Sequence, residues 1–167
     1  LVAAEKKTAI RFKEFFDEFG EVSTDVLISS PGTRDAYTDR LEDPSEPVNA
    51  FWKKMMTKYG NEKEYNKQLV DSYIKNETPE IIIVVDKLLT GFDADVDTVL
   101  YLCRPLKEHT LLQAIARVNR LADGKDFGYI IDYADVLENL DKALTSYDAL
   151  AGFDEADLTG SLTGIQA

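Results

Sequence analysis

Residues 81–133 read IIIVVDKLLTGFDADVDTVLYLCRPLKEHTLLQAIARVNRLADGKDFGYIIDY. The stretch opens on five consecutive β-branched residues, 81–85, the composition of a strand buried on both faces of a parallel sheet. Residues 98–103, TVLYLC, form a second run of that kind, and GYIID, 128–132, a shorter third. Between the second and the third, over 108–121, the apolar spacing becomes helical. Strand, strand, helix, strand, with runs too apolar for a one-sided sheet, predicts an α/β fold around a mostly parallel central sheet.

The flanks continue the alternation. Residues 1–4 read as the end of a strand. Over 5–19 Ala9, Phe12, Phe16 and Phe19 share one helical face, and Gly20 is placed to stop the helix. Residues 22–28 suit a strand, and Pro31, Gly32, Pro44 and Pro47 mark 29–47 as a loop. Two helices follow. Ser45 caps the first, with Pro47 in its opening turn and Val48, Phe51, Trp52, Met55, Met56 and Tyr59 on its apolar face. Asn61 caps the second, with Glu64 placed as in a capping box and Tyr65, Leu69 and Tyr73 on one face; Pro79 ends it. Downstream, 134–148 has helical spacing through Val136, Leu137, Leu140 and Leu144. The tail 151–167 is rich in Gly and Asp. The expected division is one α/β domain over 1–133, with a helical insertion at about 31–79, and then a C-terminal helix and loose acidic tail over 134–167. No internal repeat or low-complexity tract is visible.

Hydrophobic residues make up 44% and aromatics 10% of the 167 residues, as in a globular domain. No apolar run approaches the roughly 20 residues that span a bilayer, so no membrane partner is expected. Leu1 to Ala4 leads directly into Glu5, Lys6 and Lys7, unlike a signal peptide, and the chain opens without a methionine, as an excised piece would. The single cysteine, Cys103, excludes an internal disulfide or a cysteine-cluster zinc site and suits a reducing, cytoplasmic setting. The net charge is −12, and half of it sits in residues 134–167, where Lys142 alone faces seven acidic residues. Such a chain is a poor free-standing DNA binder; contact with nucleic acid must be local or shared with a more basic domain.

Two clusters can carry chemistry. Thr90, Gly91, Phe92 and Asp93 follow the first buried strand, and ligands of parallel sheets meet the carboxyl ends of strands. Glycine lets backbone N–H groups approach a phosphate; the bland alternative is a turn closed by Gly91 with Asp93 as a cap. Gln113, Arg117 and Arg120 are spaced i, i+4, i+7, so they project from one helical face, with Leu112, Ile115 and Val118 free to pack inward. Two arginines so placed can stabilise the charge of a transferring phosphoryl group. Taken alone they are equally a solvated face with surface ion pairs.

Together the clusters say more. TGFD after a buried strand, then strand 98–103, then QAIARVNR on a helix, then GYIIDY has the order of motifs V and VI in the second RecA-like domain of superfamily 2 helicases. In wording, 81–133 closely resembles the restriction (motor) subunit of type I restriction-modification enzymes. LVAAEKKTAIRFKEFF at the start and DVLENLDKAL downstream are similar to the same family; 31–79 carry no motif that matches.

The resemblance implies a P-loop NTPase-type, RecA-like three-layer sandwich. It implies ATP and Mg2+ held mainly by a first RecA-like domain outside this chain. Gln113, Arg117 and Arg120 match the pattern Q-x-x-G-R-x-x-R, with a catalytic role toward that ATP; Ala116 replaces the usual Gly, and its small size keeps the close packing that glycine allows. Thr90 and Gly91 match positions that contact the nucleic-acid backbone, and Gly91 and Asp93 positions that couple to nucleotide. The activity implied is that of an ATP-dependent type I deoxyribonuclease translocating along double-stranded DNA. Its implied partners are the DNA, upstream RecA-like and nuclease domains of the same subunit, and methyltransferase and specificity subunits.

The chain contains no G-x-x-x-x-G-K-[ST] phosphate loop, no acidic metal box, no metal site and no nuclease-like cluster. Alone it is therefore expected to be inactive. Asp86 and Asp132 end apolar runs as a Walker-B aspartate does, but without a phosphate loop they read as strand-end hydrogen-bonding residues. His109 reads as a helix-entry residue and Cys103 as core. The Trp52, Met55 and Met56 stripe reads as core or, alternatively, as a docking face. Two other functions remain open to the residues: another superfamily 2 translocase, or a silent RecA-like interaction module. An upstream phosphate loop would separate the motor from the silent module.

Overall fold

The computed structural model describes residues 1–32, 45–75, 77–89, 96–120 and 125–136. In chain order the elements are α1 (Lys6–Phe19), β1 (Thr24–Leu27), α2 (Glu46–Tyr59), α3 (Glu62–Ile74), β2 (Ile81–Val84), β3 (Val99–Leu102), α4 (Glu108–Val118) and β4 (Tyr129–Asp132). The chain divides into two compact units, Leu1–Leu88 and Leu89–Ala167. Each contains a parallel strand pair, so the fold is mixed α/β with short parallel strands.

In the first unit β2 is the central strand. It pairs in parallel with β1, Val26 opposite Ile83. On its other side residues 1–3 run parallel to it, through a bridge between Val2 and Val84 and the bonds Ala3 N–H to Val84 O and Val84 N–H to Leu1 O, both 2.8 Å. Ile82, Ile83, Val84 and Val85 are all buried, as the β-branched run predicts for a strand covered on both faces. One face of this sheet (Ala3, Val26, Ile28, Ile83 and Val85) packs on Ala9 and Ile10 of α1 and Val48 of α2. Phe12, Phe16, Phe51 and Trp52 extend that core at its rim.

The local signals explain the helix ends. Gly20 adopts φ 73° at the end of α1, and its N–H donates to Phe16 O at 2.9 Å. That left-handed geometry favours glycine. The predicted apolar face of α1 ends sooner than its spacing implies: Phe19 is 70% exposed, because the helix outruns the short strands beneath it. Asn61 Oδ1 accepts from the Glu64 N–H at 3.0 Å and caps α3 as read. Ser45 occupies the N-cap position of α2 with Pro47 in the first turn, but its side chain makes no cap hydrogen bond.

The α2–α3 pair is built into the first unit. Tyr65 is fully buried, and its hydroxyl donates to the Val26 carbonyl oxygen of β1. Burial, with Asp25 nearby, pushes the Tyr65 hydroxyl pKa far above the ordinary tyrosine value. Trp52 meets Tyr65 edge to face with centroids 6.1 Å apart, and Tyr59 lies 5.3 Å from it on another side. Of the Trp52, Met55 and Met56 stripe, Met55 is core, 4% exposed, while Trp52 and Met56 are half-buried, Trp52 at the rim of the core.

In the second unit β3 pairs in parallel with β4, Leu100 opposite Ile130. The reading of β3 as buried on both faces is corrected: Leu100 and Leu102 are buried, whereas Val99 and Tyr101 are half-buried. Cys103, read as core, is likewise half-buried, and burial raises its thiol pKa. Helix α4 buries Leu111, Ala114, Ile115 and Val118. Full burial of each large aliphatic side chain contributes about 1.5–3 kcal/mol. Leu112, expected to pack inward, is only half-buried because it flanks that stripe.

Gly128 marks a close approach between elements: a Cβ there would stand 2.5 Å from the carbonyl carbon of Val118 and closer still to its oxygen. Beyond β4, the Asp132 carboxylate accepts from the backbone N–H groups of Ala134 (2.8 Å) and Val136 (2.6 Å), the strand-end role read for it. Residues 134–136 are consequently a turn, with Asp135 at φ 52°, and not the start of a helix. The remainder of the helix expected over 134–148, and the tail, lie outside the described residues.

Candidate functional site

Of the residues singled out for chemistry, Gln113, Arg117 and Arg120 are described; Thr90, Gly91 and Asp93 lie outside the described residues. Gln113 and Arg117 stand one turn apart on α4, as read. Arg120 does not share the helix. α4 ends at Val118, Asn119 is the C-cap, and Arg120 follows, its N–H donating to Arg117 O at 3.4 Å. The physical reason lies in Asn119. Its N–H closes the last turn onto Ile115 O, while its side-chain Oδ1 accepts from the Gly128 N–H at 3.4 Å. The chain is thereby drawn out of the helix toward β4.

Burial differs along the three. Gln113, Ala116 and Arg120 are exposed, whereas Arg117 is half-buried beside the apolar stripe. Ala116, small where the pattern has glycine, lies on the exposed side of α4. Partial burial lowers the Arg117 pKa from its ordinary value, and the nearby Asp97 carboxylate opposes that shift. Arg117 stays protonated at any physiological pH, since an arginine starts so high. It also sits in the last helical turn, where the macrodipole favours a cation.

The C-terminal end of α4 lies at the amino-terminal edge of the β3–β4 pair. Gly128 immediately precedes β4 and touches Val118, and Asp97, just before β3, acts on Arg117. Lys125 Nζ donates to Asp97 O and ties the approach to β4 onto the approach to β3. Arg117 and Arg120 thus place two guanidinium groups, planar forks of N–H donors, on a backbone held by Asn119 and Gly128. Such a pair can grip phosphate oxygens. His109 is exposed in the first turn of α4, its Nδ1 3.4 Å from Thr110 Oγ1, in keeping with a helix-entry role.

Three features escaped the sequence reading. Arg104, at the carboxyl end of β3, is 4% exposed, with Nη1 donating to Pro105 O at 3.5 Å. An arginine directly ending an apolar strand was the available signal. Lys6 is 2% exposed at the start of α1, its Nζ donating to Ser30 O at 3.2 Å. Lys87, two residues past Val85, donates to Glu62 Oε1 at 2.7 Å and Asn66 Oδ1 at 2.8 Å, and Leu88 beside it has φ 65°. No local pattern links Lys87 to residues more than twenty positions upstream.

Among the described residues no cluster of His, Cys, Asp or Glu could hold a metal, and no helix is long and apolar enough to cross a membrane. A parallel α/β chain with an arginine-bearing helix end defines a class of domain, and comparison with known proteins gives the family. The family model described as type I restriction enzyme subunit R domain 3 matches residues 3–135. The chain belongs to this family.

It is 37% identical over 158 residues, 89% of its length, to a putative type I restriction enzyme MjaVIIIP endonuclease subunit of Methanocaldococcus jannaschii. It is 32% identical over 165 residues to the putative MjaVIIP endonuclease subunit of the same organism. A shorter match, 41% over 80 residues, is to the type I restriction enzyme HindI endonuclease subunit of Haemophilus influenzae. The chain spans 14% of the length of each of the first two relatives.

Proposed function

We propose that this chain is the second RecA-like motor domain of a type I restriction subunit, and that Arg117 and Arg120 act on ATP held by another domain of the same polypeptide. The observation that carries the reading is the end of α4. A half-buried Arg117 and an exposed Arg120 flank a C-cap, Asn119, that is hydrogen-bonded to Gly128. A fixed backbone removes one part of the entropy lost on gripping a phosphate, leaving that of the arginine side chains, and so favours stabilising a transferring phosphoryl group.

The described residues fit a nucleotide phosphate in that they offer exposed donors, Gln113 and Arg120, beside the partly desolvated Arg117 guanidinium. ATP with Mg2+ would supply the transferable phosphoryl group. In this reading Arg117 and Arg120 neutralise charge on its oxygens and Gln113 orients them. Thr90 and Gly91 would meet the DNA backbone, and Asp93 would couple that contact to nucleotide. Closure and reopening of two lobes would then advance double-stranded DNA, with methyltransferase and specificity subunits as partners and the cytoplasm as the setting. A RecA-like sandwich, a role as part of an ATP-dependent deoxyribonuclease, and the inactivity of the chain alone belong to the same proposal. Parallel strands with β2 buried on both faces support the first of these.

The test is Arg120→Ala in the full-length subunit. ATP hydrolysis is expected to fall by a factor of about 10³ or more, the usual loss for such an arginine, while ATP binding persists. Unchanged hydrolysis would show that the helix end is only a solvated face.

A further inference from the structure

Glu62 and Asn66 are one turn apart on α3, so their side chains reach the same place. Both accept from Lys87 Nζ, at 2.7 and 2.8 Å. The Lys87 side chain is 20% exposed and that of Glu62 42%, so the ion pair is partly shielded from solvent. The next stripe of α3, Tyr65 and Leu69, is buried, with Tyr65 bonded to β1. The forked contact is therefore anchored through α3 to the sheet itself. At the other end of α3, Ser72 Oγ donates to Thr78 O at 2.7 Å, just before β2. Helix α3 is thus tied near its carboxyl end to the segment before β2 and near its amino end, through Lys87, to the segment after it.

The second observation is Leu88. Its φ of 65° places a branched side chain in the left-handed region, which non-glycine residues leave unless their surroundings hold them there. The residue held in place lies directly after the lysine that is clamped. Carboxyl ends of parallel strands are where such sheets meet ligands, and the chain runs on from here into Leu89, Thr90 and Gly91.

We infer that Lys87 is a positioning residue: clamped by Glu62 and Asn66 of α3, it holds the turn after β2, with Leu88 left-handed, in the form that meets the DNA backbone. The inference rests on the motor reading above. It assigns α2–α3, which carry no helicase motif, the work of bracing that turn.

The experiment uses the full-length subunit and a linear double-stranded DNA, reading DNA-stimulated ATP hydrolysis against DNA concentration and salt. Glu62→Gln and Lys87→Met are each expected to raise the KM for DNA about tenfold, with kcat at saturating DNA reduced less than threefold. The slope of affinity against salt should stay unchanged, because no phosphate contact is lost. Glu62→Lys combined with Lys87→Glu should bring the KM back to within threefold of wild type.

A lysine that touches phosphate directly would behave otherwise. Lys87→Met would then reduce the salt slope by about one unit, Glu62→Gln would leave KM unchanged or lower it, and the exchanged pair would stay impaired; that pattern overturns the inference. So does wild-type behaviour in both single variants. If Lys87→Met does not fold, Glu62→Gln and the exchanged pair decide by the same criteria. A wild-type subunit with no DNA-stimulated hydrolysis would instead sink the motor reading itself.

Discussion

Gly128→Ala tests the packing that sets the arginine-bearing end of α4. The added Cβ would lie 2.5 Å from Val118 C, nearer to Val118 O, and 3.1 Å from Val118 Cβ. Ordinary contact begins at 3.4 Å, so β4 or the last turn of α4 must retreat by about 0.9 Å or more. Neither partner is a flexible side-chain tip: the obstruction is helix backbone, already fixed by the bond of Asn119 N–H to Ile115 O. The retreat also lengthens the 3.4 Å bond from Gly128 N–H to Asn119 Oδ1.

Overpacking against backbone with loss of one hydrogen bond costs about 2–4 kcal/mol. For a chain of this size that is roughly 5–15 °C in melting temperature. Thermal unfolding followed by circular dichroism measures it, with Gly20→Ala as the control. Gly20 has φ 73° but nothing within 4 Å, so alanine there bears only the left-handed penalty of about 1–2 kcal/mol. If Gly128→Ala melts at or above Gly20→Ala, the close approach does not hold the helix end, and the account of why Arg120 leaves α4 fails with it.

Two further expectations concern protons. Tyr65→Phe removes a buried hydroxyl donor to Val26 O and should cost about 1–2 kcal/mol in chemical denaturation at pH 7. Because the folded-state pKa of Tyr65 is raised, the native state keeps its proton when the unfolded chain has lost it. The stability difference between wild type and Tyr65→Phe should therefore shrink as pH rises above about 10; a constant difference would refute the buried hydroxyl. Glu80 accepts from both the N–H and the hydroxyl of Ser23, and these bonds lower its pKa. Its stabilisation is then present above the unfolded carboxylate pKa and lost as pH falls through the lower folded one. Glu80→Gln should flatten the acid side of the stability profile, and an unaltered acid limb would count against the bond.

Much of this fold is legible locally. The β-branched run 81–85 specifies a strand buried on both faces, because it has no polar residue to turn toward water on either side. Gly20 and Asn61 specify helix ends, because a left-handed stop and a side-chain acceptor act within a few residues of chain. The order of TGFD and QAIARVNR between strands pointed to the family that the residue 3–135 match establishes.

Other properties depend on residues distant in sequence. Whether Phe19 is covered depends on how far the strands extend beneath α1. Whether Arg120 stays on the helix depends on Gly128, which needs Asn119 to turn aside. The α2–α3 pair carried no readable motif, yet Tyr65 bonds to β1 and Lys87 to Glu62 and Asn66 across more than twenty residues. Sequence alone thus determined the strands, the helix ends at Gly20 and Asn61 and the family, through short-range patterning and steric rules. Only tertiary structure decided which charged side chains are clamped or half-buried, because a hydrogen bond or a desolvated cation depends on partners that folding brings together.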